Sequence, residues 1–179
     1  MSENNINKYI SDCKQVQPQT QADIRRFFEG VVGFPYDREL LLQAYLFLNI
    51  KNLFPLCSEL LLFEQALVKN NTNLGKCDFI YLTDQNNLFL IETKYINTAE
   101  TGRTAITRRT QHRKKVFEQV FSWQNKLNKY CHIPTQQIEC AIFTTDPTLI
   151  ERTEAIDVVT QSISICELEQ WQKKYHRRA

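Results

Sequence analysis

Two carboxylates and one amine stand close together near the middle of the sequence. Asp78 is followed fourteen positions later by Glu92, and Lys94 comes two positions after Glu92. Because side chains on a β-strand alternate between its two faces, Glu92 and Lys94 should project from the same face of one strand. A short turn separates that strand from the one that begins near Asp78. The hairpin predicts that the three charged side chains converge.

The residues around this charged cluster are apolar, and burying unpaired charge is unfavourable. A Mg²⁺ ion would compensate the two carboxylates, since it commonly binds one or two of them together with water and phosphate oxygens. Such an ion lowers the pKa of a bound water and stabilises negative charge on a phosphodiester. The amine of Lys94 could orient or deprotonate the attacking water, or neutralise developing charge. The pattern predicts phosphodiester hydrolysis assisted by Mg²⁺, with Mn²⁺ as a substitute ion.

Two helices and three strands should position the cluster. A capping box and apolar residues at helical spacing predict a helix from about Thr20 to Gly30, and Asp37 caps a second helix that Pro55 ends. The elements predicted next are a long strand over Cys57–Val68, a turn at Asn70–Gly75, a second strand over Lys76–Leu82, a turn at Thr83–Asn87 and a third strand over Leu88–Ile96. We expect the three strands to form an antiparallel meander.

The second half of the sequence predicts a crossover. An apolar stripe within the basic segment between Thr101 and Tyr130 indicates an amphipathic helix that covers the sheet. The elements predicted after Pro134 are a fourth strand over Ile138–Thr145, a fifth strand over Asp157–Cys166 and a final helix over Glu167–Tyr175. A helix between the third and fourth strands implies a crossover connection. The predicted fold class is α/β, with a mixed central sheet of about five strands flanked by helices.

Asp78 and the tripeptide Glu92-Thr-Lys94 resemble the motif of the PD-(D/E)XK nuclease superfamily, which has the restriction-endonuclease-like fold. The order of helix, three strands, helix and strand is also similar to the core of that superfamily, over roughly Asp37 to Cys166. The resemblance implies that Asp78, Glu92 and the backbone carbonyl of Thr93 bind the metal ion. It also implies that Lys94 serves the attacking water.

The same resemblance suggests two further site residues. The superfamily has an additional acidic residue on the first helix or strand, for which Glu39 is the first choice, Glu59 the second and Glu64 a third alternative. A glutamine on the following helix helps to hold the site in some branches. Gln119, in the pattern Gln119-Val-Phe-Ser-Trp123, matches that glutamine.

A basic segment follows the charged cluster. The formal net charge is only +2, but the single acid between Thr101 and Tyr130 is Glu118. Basic fields of this kind attract phosphate backbones, so DNA is the expected partner. The predicted DNA-binding residues are Arg103, Arg108, Arg109, Arg113, Lys114 and Lys115. A solvated helix face is the alternative interpretation of this segment. The three scattered histidines are interpreted as surface residues, with contact to phosphate as an alternative for His112.

Composition limits the class of protein. A hydrophobic content of 42% with few Gly and Pro residues predicts one domain over residues 1–179, with 1–35 as an N-terminal helical extension. We expect a cytoplasmic protein, because the sequence shows no secretory signal and no apolar run long enough to span a membrane. The six cysteines lack zinc-ligand spacing. Cys77 stands where the PD-(D/E)XK motif has a proline.

Three functions are compatible with these patterns. The favoured one is a magnesium-dependent DNA endonuclease, restriction-like or homing-like, acting as a homodimer so that each subunit cuts one strand. Restriction, homing, junction resolution and repair would all suit it. The second is a nucleic-acid-binding module of the same fold that does not cut. The third is a partner-binding α/β protein whose charged cluster is an ion-pair network.

Overall fold

A mixed β-sheet with helices on both faces forms the centre of the computed structural model, which describes residues 2–153 and 158–176. The helices are α1 (Ser2–Val16), α2 (Gln21–Gly33), α3 (Arg38–Leu48), α4 (Ile50–Leu53), α5 (Arg103–Cys131), α6 (Thr148–Thr153) and α7 (Ile165–His176). The strands are β1 (Cys57–Phe63), β2 (Ala66–Val68), β3 (Asn71–Lys76), β4 (Phe79–Thr83), β5 (Leu88–Lys94), β6 (Ile138–Thr144) and β7 (Val159–Ser162).

The main sheet contains five strands in the order β1-β4-β5-β6-β7. β4 is antiparallel to both β1 and β5, whereas β6 is parallel to β5 and β7 is parallel to β6. Parallel neighbours need a crossover connection, and α5 supplies the one between β5 and β6. The predicted α/β class, with a mixed sheet of about five strands flanked by helices, is confirmed.

The two faces of the sheet pack against different helices, as the alternation along β5 shows. Leu88 and Leu90 join a core that includes residues of α1 and α5. Phe89 and Ile91 join a second core with residues of α2, α3 and α7. Residues 1–35 therefore supply α1 to one core and α2 to the other. No helix within the described ranges is long and apolar enough to cross a membrane.

Local capping explains where α2 and α3 begin. Thr20 and Asp23 form the predicted capping box of α2, which continues to Gly33 rather than ending at Gly30. The Asp37 carboxylate accepts a hydrogen bond from the backbone N–H of Leu40 at 2.9 Å, so α3 begins at the predicted residue. Each cap satisfies a backbone N–H group that has no partner within its helix.

The prediction of one long strand over Cys57–Val68 is wrong. β1 ends at Phe63, because Glu64 adopts a left-handed backbone conformation with φ of 49°. The chain then enters a separate two-stranded sheet, in which β2 pairs with β3. The segment Asn70–Gly75 was predicted as a turn, but most of it belongs to β3, with Asn70 at φ 62° in the tight connection.

Other predicted boundaries differ by a few residues. β4 begins at Phe79 rather than Lys76, and β5 ends at Lys94 rather than Ile96. The fifth strand is shorter than predicted, and Asp157, its predicted first residue, lies outside the described ranges. The final helix begins earlier, at Ile165, because the backbone N–H of Glu167 donates to the Ser164 hydroxyl at 3.2 Å, while Glu167 accepts from the Ser164 backbone. This second capping box ends the extended segment.

Candidate functional site

Asp78 lies between β3 and β4 and is fixed by the neighbouring strand. Its Oδ2 atom accepts two hydrogen bonds from Thr93, one from the backbone N–H at 2.8 Å and one from the hydroxyl at 2.5 Å. β4 and β5 pair antiparallel with Phe79 opposite Ile91, which brings the residue before β4 to the end of β5. The structure therefore places the Asp78 carboxylate beside the residue that separates Glu92 from Lys94.

Glu92 is buried, with 5% of its surface exposed. Its two carboxylate oxygens accept hydrogen bonds from two side chains of α5: Oε1 from Gln119 Nε2 at 2.9 Å and Oε2 from Trp123 Nε1 at 3.1 Å. These donors are four residues apart and so lie one turn apart on the same helix face. The Gln119 side chain thus contacts Glu92. Trp123 is a second residue of α5 that holds the Glu92 carboxylate, and the sequence had indicated it only as the aromatic residue that ends the glutamine pattern.

Lys94 and Glu39 form an ion pair across the edge of the sheet. Lys94 Nζ lies 2.8 Å from Glu39 Oε1, and Glu39 Oε2 accepts a hydrogen bond from the backbone N–H of Tyr95 at 3.2 Å. Glu39 occupies the first turn of α3, whose start is set by the Asp37 cap. This double contact holds the lysine amine and the glutamate in one arrangement beside the two other carboxylates.

The electrostatics of these groups reflect burial and crowded negative charge. The pKa of Asp78 is raised to about 6, mainly by burial and also by the charges of Glu39 and Glu64, while the hydrogen bonds from Thr93 oppose the change. The pKa of Glu92 is raised to about 8, mainly by burial and also by the charge of Asp78, while the hydrogen bond from Trp123 opposes the change. Both carboxyl groups therefore hold a proton more readily than usual, because a desolvated charge near other negative charges is unfavourable.

His112 interacts electrostatically with Lys94 and Glu39 of the cluster, although the sequence analysis interpreted it as a surface residue. Partial burial lowers the pKa of His112, and the nearby positive charge of Lys94 lowers it further, whereas the charge of Glu39 raises it. His112 precedes Gln119 by seven residues on α5, and two turns of helix bring both residues to the same face. This spacing is the sequence signal that could have identified it.

The three candidates for the additional acid occupy different places. Glu39 contacts Lys94, as described above, and Glu64 lies beside Asp78, with its backbone N–H donating to the Asp78 carbonyl at 3.0 Å. Glu59 instead pairs with Lys14 of α1 at 3.4 Å, and its side chain is 42% exposed. The structure brings Glu39 and Glu64 to the cluster but not Glu59. Glu64 is there because of its left-handed backbone, which no pattern in the sequence indicates.

Some of the predicted DNA-binding side chains are exposed, whereas others already contact other residues of the chain. Four of the predicted DNA-binding residues are exposed on α5: Arg103, Arg108, Lys114 and Lys115. Arg109 is partly buried and donates to the Thr98 carbonyl at 2.9 Å. Arg113 forms an ion pair at 2.6 Å with Asp146, a residue with no exposed surface. Because Arg113 compensates a buried carboxylate, it differs from the freely exposed basic residues around it.

Whether these residues suit a Mg²⁺ ion depends on their free oxygen atoms and their charge. Both hydrogen bonds to Asp78 go to Oδ2, and Oδ1 accepts none from the described residues. Each Glu92 oxygen accepts one bond from α5 and keeps a second lone pair. Among the described residues, no group of three or more His, Cys, Asp or Glu side chains is arranged to hold a metal ion. The expected ligands include only two carboxylates, and carboxylate oxygens are the ligands that a hard cation prefers.

The chain was compared with protein-family models, curated proteins and solved structures, and none of these comparisons returned a match.

Proposed function

We propose that this protein is a magnesium-dependent DNA endonuclease with a restriction-endonuclease-like fold, similar to the PD-(D/E)XK nucleases. The observation that carries the proposal is the contact of Asp78 with Thr93, which stands between Glu92 and Lys94. Two carboxylates and one amine from neighbouring strands are thereby gathered at one end of the sheet. The helix–strand order and the α5 crossover also support the fold assignment.

In this proposal Asp78 and Glu92 hold the ion, together with the Thr93 carbonyl. A bound Mg²⁺ ion, or Mn²⁺ in its place, would lower the pKa of a water ligand and stabilise charge on the scissile phosphate. Gln119 and Trp123 orient the Glu92 carboxylate through the two hydrogen bonds from α5. Hydrogen-bonded partners of metal ligands commonly fix ligand orientation in this way.

Lys94 supplies the amine that acts on the attacking water. Its ion pair with Glu39 holds the amine near the carboxylates before substrate arrives. A preorganised positive charge can stabilise negative charge that develops on the phosphate. Glu39 therefore acts as a positioning residue, and its second contact, with the Tyr95 backbone, keeps it from turning away.

DNA is the proposed substrate because exposed basic residues extend along α5 from the same region. The positive charges of Arg108, Lys115 and Lys94 all act on His112. Phosphate contacts from such residues give affinity that does not depend on sequence and falls steeply with salt. Each chain has one candidate site, so a homodimer would be needed to cut both strands at a two-fold site.

The direct test is incubation of purified protein with plasmid, duplex, branched and single-stranded DNA, with Mg²⁺ and with chelator. We expect cutting that requires Mg²⁺ and is abolished by Asp78→Asn, Glu92→Gln and Lys94→Met. Glu59→Gln is a matched control, because Glu59 is an acid that lies outside the cluster. Absence of cutting on every substrate, or full activity of Asp78→Asn, would contradict the proposal.

A nucleic-acid-binding module that does not cut is the second candidate. It is favoured by the two hydrogen bonds that already engage the Glu92 carboxylate, since a neutral Glu92 could be a structural group of the core. Calorimetric titration with Mg²⁺ separates the two functions. The nuclease predicts binding that Glu92→Ala abolishes, whereas the module predicts none.

A further inference from the structure

An aromatic loop, defined here as Phe34-Pro35-Tyr36, connects α2 to α3. Phe34 and Tyr36 are the most exposed large hydrophobic side chains in the described part of the chain, at 78% and 70%. Large aromatic side chains usually bury their surface in a core or against a partner. Two of them so exposed, within three residues, leave a pair of aromatic rings accessible to a partner.

Both ends of the aromatic loop are anchored. The backbone N–H of Phe34 donates to the Gly30 carbonyl at 3.0 Å, and the Asp37 side chain caps α3 directly after Tyr36. Pro35 restricts the backbone between the two aromatic residues. A loop held in this way presents its rings with little further loss of conformational entropy on binding.

The aromatic loop also lies near the charged cluster. Tyr36 precedes Glu39 by three residues, so their Cα atoms are at most about 11 Å apart. Glu39 contacts Lys94 at 2.8 Å. The loop approaches the cluster from the α3 face of the sheet, while the basic residues of α5 approach it from the opposite face. A nucleic-acid strand that crosses the cluster would thus have positive charge on one side and aromatic rings on the other.

The chemistry of the two rings selects the kind of DNA. Phe34 carries no hydrogen-bonding atom in its side chain and Tyr36 carries a single hydroxyl, so the loop offers little for reading base edges in a groove. What it offers is ring faces, which stack on base faces. The faces of bases inside a duplex are already stacked on their neighbours. Ring faces therefore engage unpaired or flipped bases most readily, because insertion between the base pairs of a duplex requires those pairs to be unstacked first.

We propose that the aromatic loop binds unpaired bases next to the scissile phosphate, so that the substrate class is DNA with a single-stranded segment. This inference rests on the proposed nuclease function and specifies its substrate. The basic face of α5 holds the phosphates of the strand, and Phe34 and Tyr36 stack on its bases. Cutting should then be directed to single-stranded, forked or flapped DNA rather than to continuous duplex.

The test measures binding by fluorescence anisotropy in chelator, with a labelled single strand and the matching duplex as probes. The double substitution Phe34→Ala/Tyr36→Ala should weaken single-strand binding by at least about tenfold, as loss of base stacking typically does, and duplex binding by less than about twofold. Phe34→Leu keeps an apolar side chain without a ring and should also weaken single-strand binding. Both positions are exposed, so the fold, monitored by circular dichroism, should be unchanged.

Leu56→Ala is the matched control, because Leu56 is 45% exposed but lies at the other end of the sheet, where its carbonyl contacts Asp84 after β4. This substitution should leave both probes unaffected. No effect of the double substitution, an equal loss on both probes, or a change of oligomeric state by light scattering would each overturn the inference. The last outcome would make the aromatic loop a contact between two copies of the chain.

Cleavage assays with Mg²⁺ keep this inference separate from the proposed function. If the wild-type protein cuts duplex and single strand equally and the double substitution changes neither rate, the nuclease stands and the role of the loop is refuted. If no DNA is cut or bound at all, the proposed function itself fails. If the wild-type protein cuts preferentially at a single-stranded segment and the double variant loses this preference, both the nuclease function and the role of the aromatic loop are supported.

Discussion

Glu92→Gln should make the protein without metal more stable at neutral and alkaline pH, even though it removes a proposed metal ligand. The wild-type carboxyl is buried beside Asp78, and its pKa is raised from an ordinary value of 4.5 to about 8. The introduced amide is neutral at every pH and has nearly the same shape. It can accept from the Trp123 N–H, and Gln119 can turn its own amide to accept from the new NH₂ group.

The sign and size of the effect follow from the linkage between protonation and folding. Below pH 4.5 the carboxyl is protonated in both the folded and the unfolded state, so it does not lower the free energy of unfolding. As pH rises, the unfolded chain releases the proton first, so the folded state loses stability until the pH passes about 8. At about 1.4 kcal/mol per pH unit, the loss reaches about 3 kcal/mol at pH 7 and about 5 kcal/mol above pH 8.

Urea unfolding in EDTA, followed by far-UV circular dichroism from pH 5 to pH 9, measures this difference. With a slope of about 2 kcal/mol per molar urea, the midpoint of Glu92→Gln should exceed that of the wild type by about 1.5 M at pH 7. The two proteins should converge near pH 5. Glu59→Gln, an exposed acid in an ion pair with Lys14, should follow the wild-type curve throughout.

Addition of Mg²⁺ provides the complementary measurement. A cation that binds only the folded wild-type protein stabilises it by mass action, so Mg²⁺ should reduce the difference between the two proteins at pH 8. If Glu92→Gln is no more stable than the wild type at pH 8 in EDTA, and both lose stability in parallel as pH rises, then Glu92 is not the buried, proton-holding group inferred here.

Three further substitutions test the supporting contacts. Arg113→Ala leaves the fully buried Asp146 carboxylate without its ion-pair partner and should lower the free energy of unfolding by about 3–5 kcal/mol, measured by urea unfolding. Gly75→Ala should lower the free energy of unfolding by at least about 1–2 kcal/mol, since Gly75 has a φ of 87° and an added Cβ would lie 2.6 Å from the Trp123 ring. The tryptophan fluorescence of this variant should also shift. Trp123→Phe removes the N–H that contacts Glu92 and should slow Mg²⁺-dependent cutting about tenfold to a hundredfold, measured as initial rates on the preferred substrate.

Matched controls distinguish these effects from general damage. Lys114→Ala changes the exposed neighbour of Arg113 and should alter the free energy of unfolding by less than about 0.5 kcal/mol. Trp171→Phe changes an indole that packs on Tyr45 in the other core and should leave the cutting rate unchanged. Equal effects of a control and its partner substitution would mean that the assigned contact is not the cause.

The local parts of the fold could be predicted because they depend on neighbours in sequence. The Thr20 capping box, the Asp37 cap and the hairpin between β4 and β5 were all predicted from residues a few positions apart. A strand alternates with period two and a helix repeats every 3.6 residues, so the apolar pattern identified most elements. Contacts between a side chain and the backbone within one helical turn can be predicted from the sequence, because they depend on residue types at fixed short spacings.

Contacts between segments that are distant in the sequence could not be predicted from such local patterns. The break after Phe63 depends on Glu64 adopting a left-handed backbone, and the β2–β3 hairpin was missed with it. A run of apolar residues looks the same whether it forms one strand or two. The electrostatic interaction of His112 with Lys94 and the pairing of Arg113 with Asp146 likewise depend on how α5 packs on the sheet.

The sequence by itself determined the α/β class, most of the helices and strands, and the presence of two carboxylates and an amine on or next to neighbouring strands. Tertiary structure decided which acid meets that amine, since Glu39 was preferred over Glu59 and Glu64 from the sequence but residue type alone does not separate the three. Glu39 contacts Lys94 because α3 packs across β5, and Glu59 pairs elsewhere because its side chain points toward α1. Charge pairing acts over a few ångströms, and only the packing of whole elements sets distances on that scale.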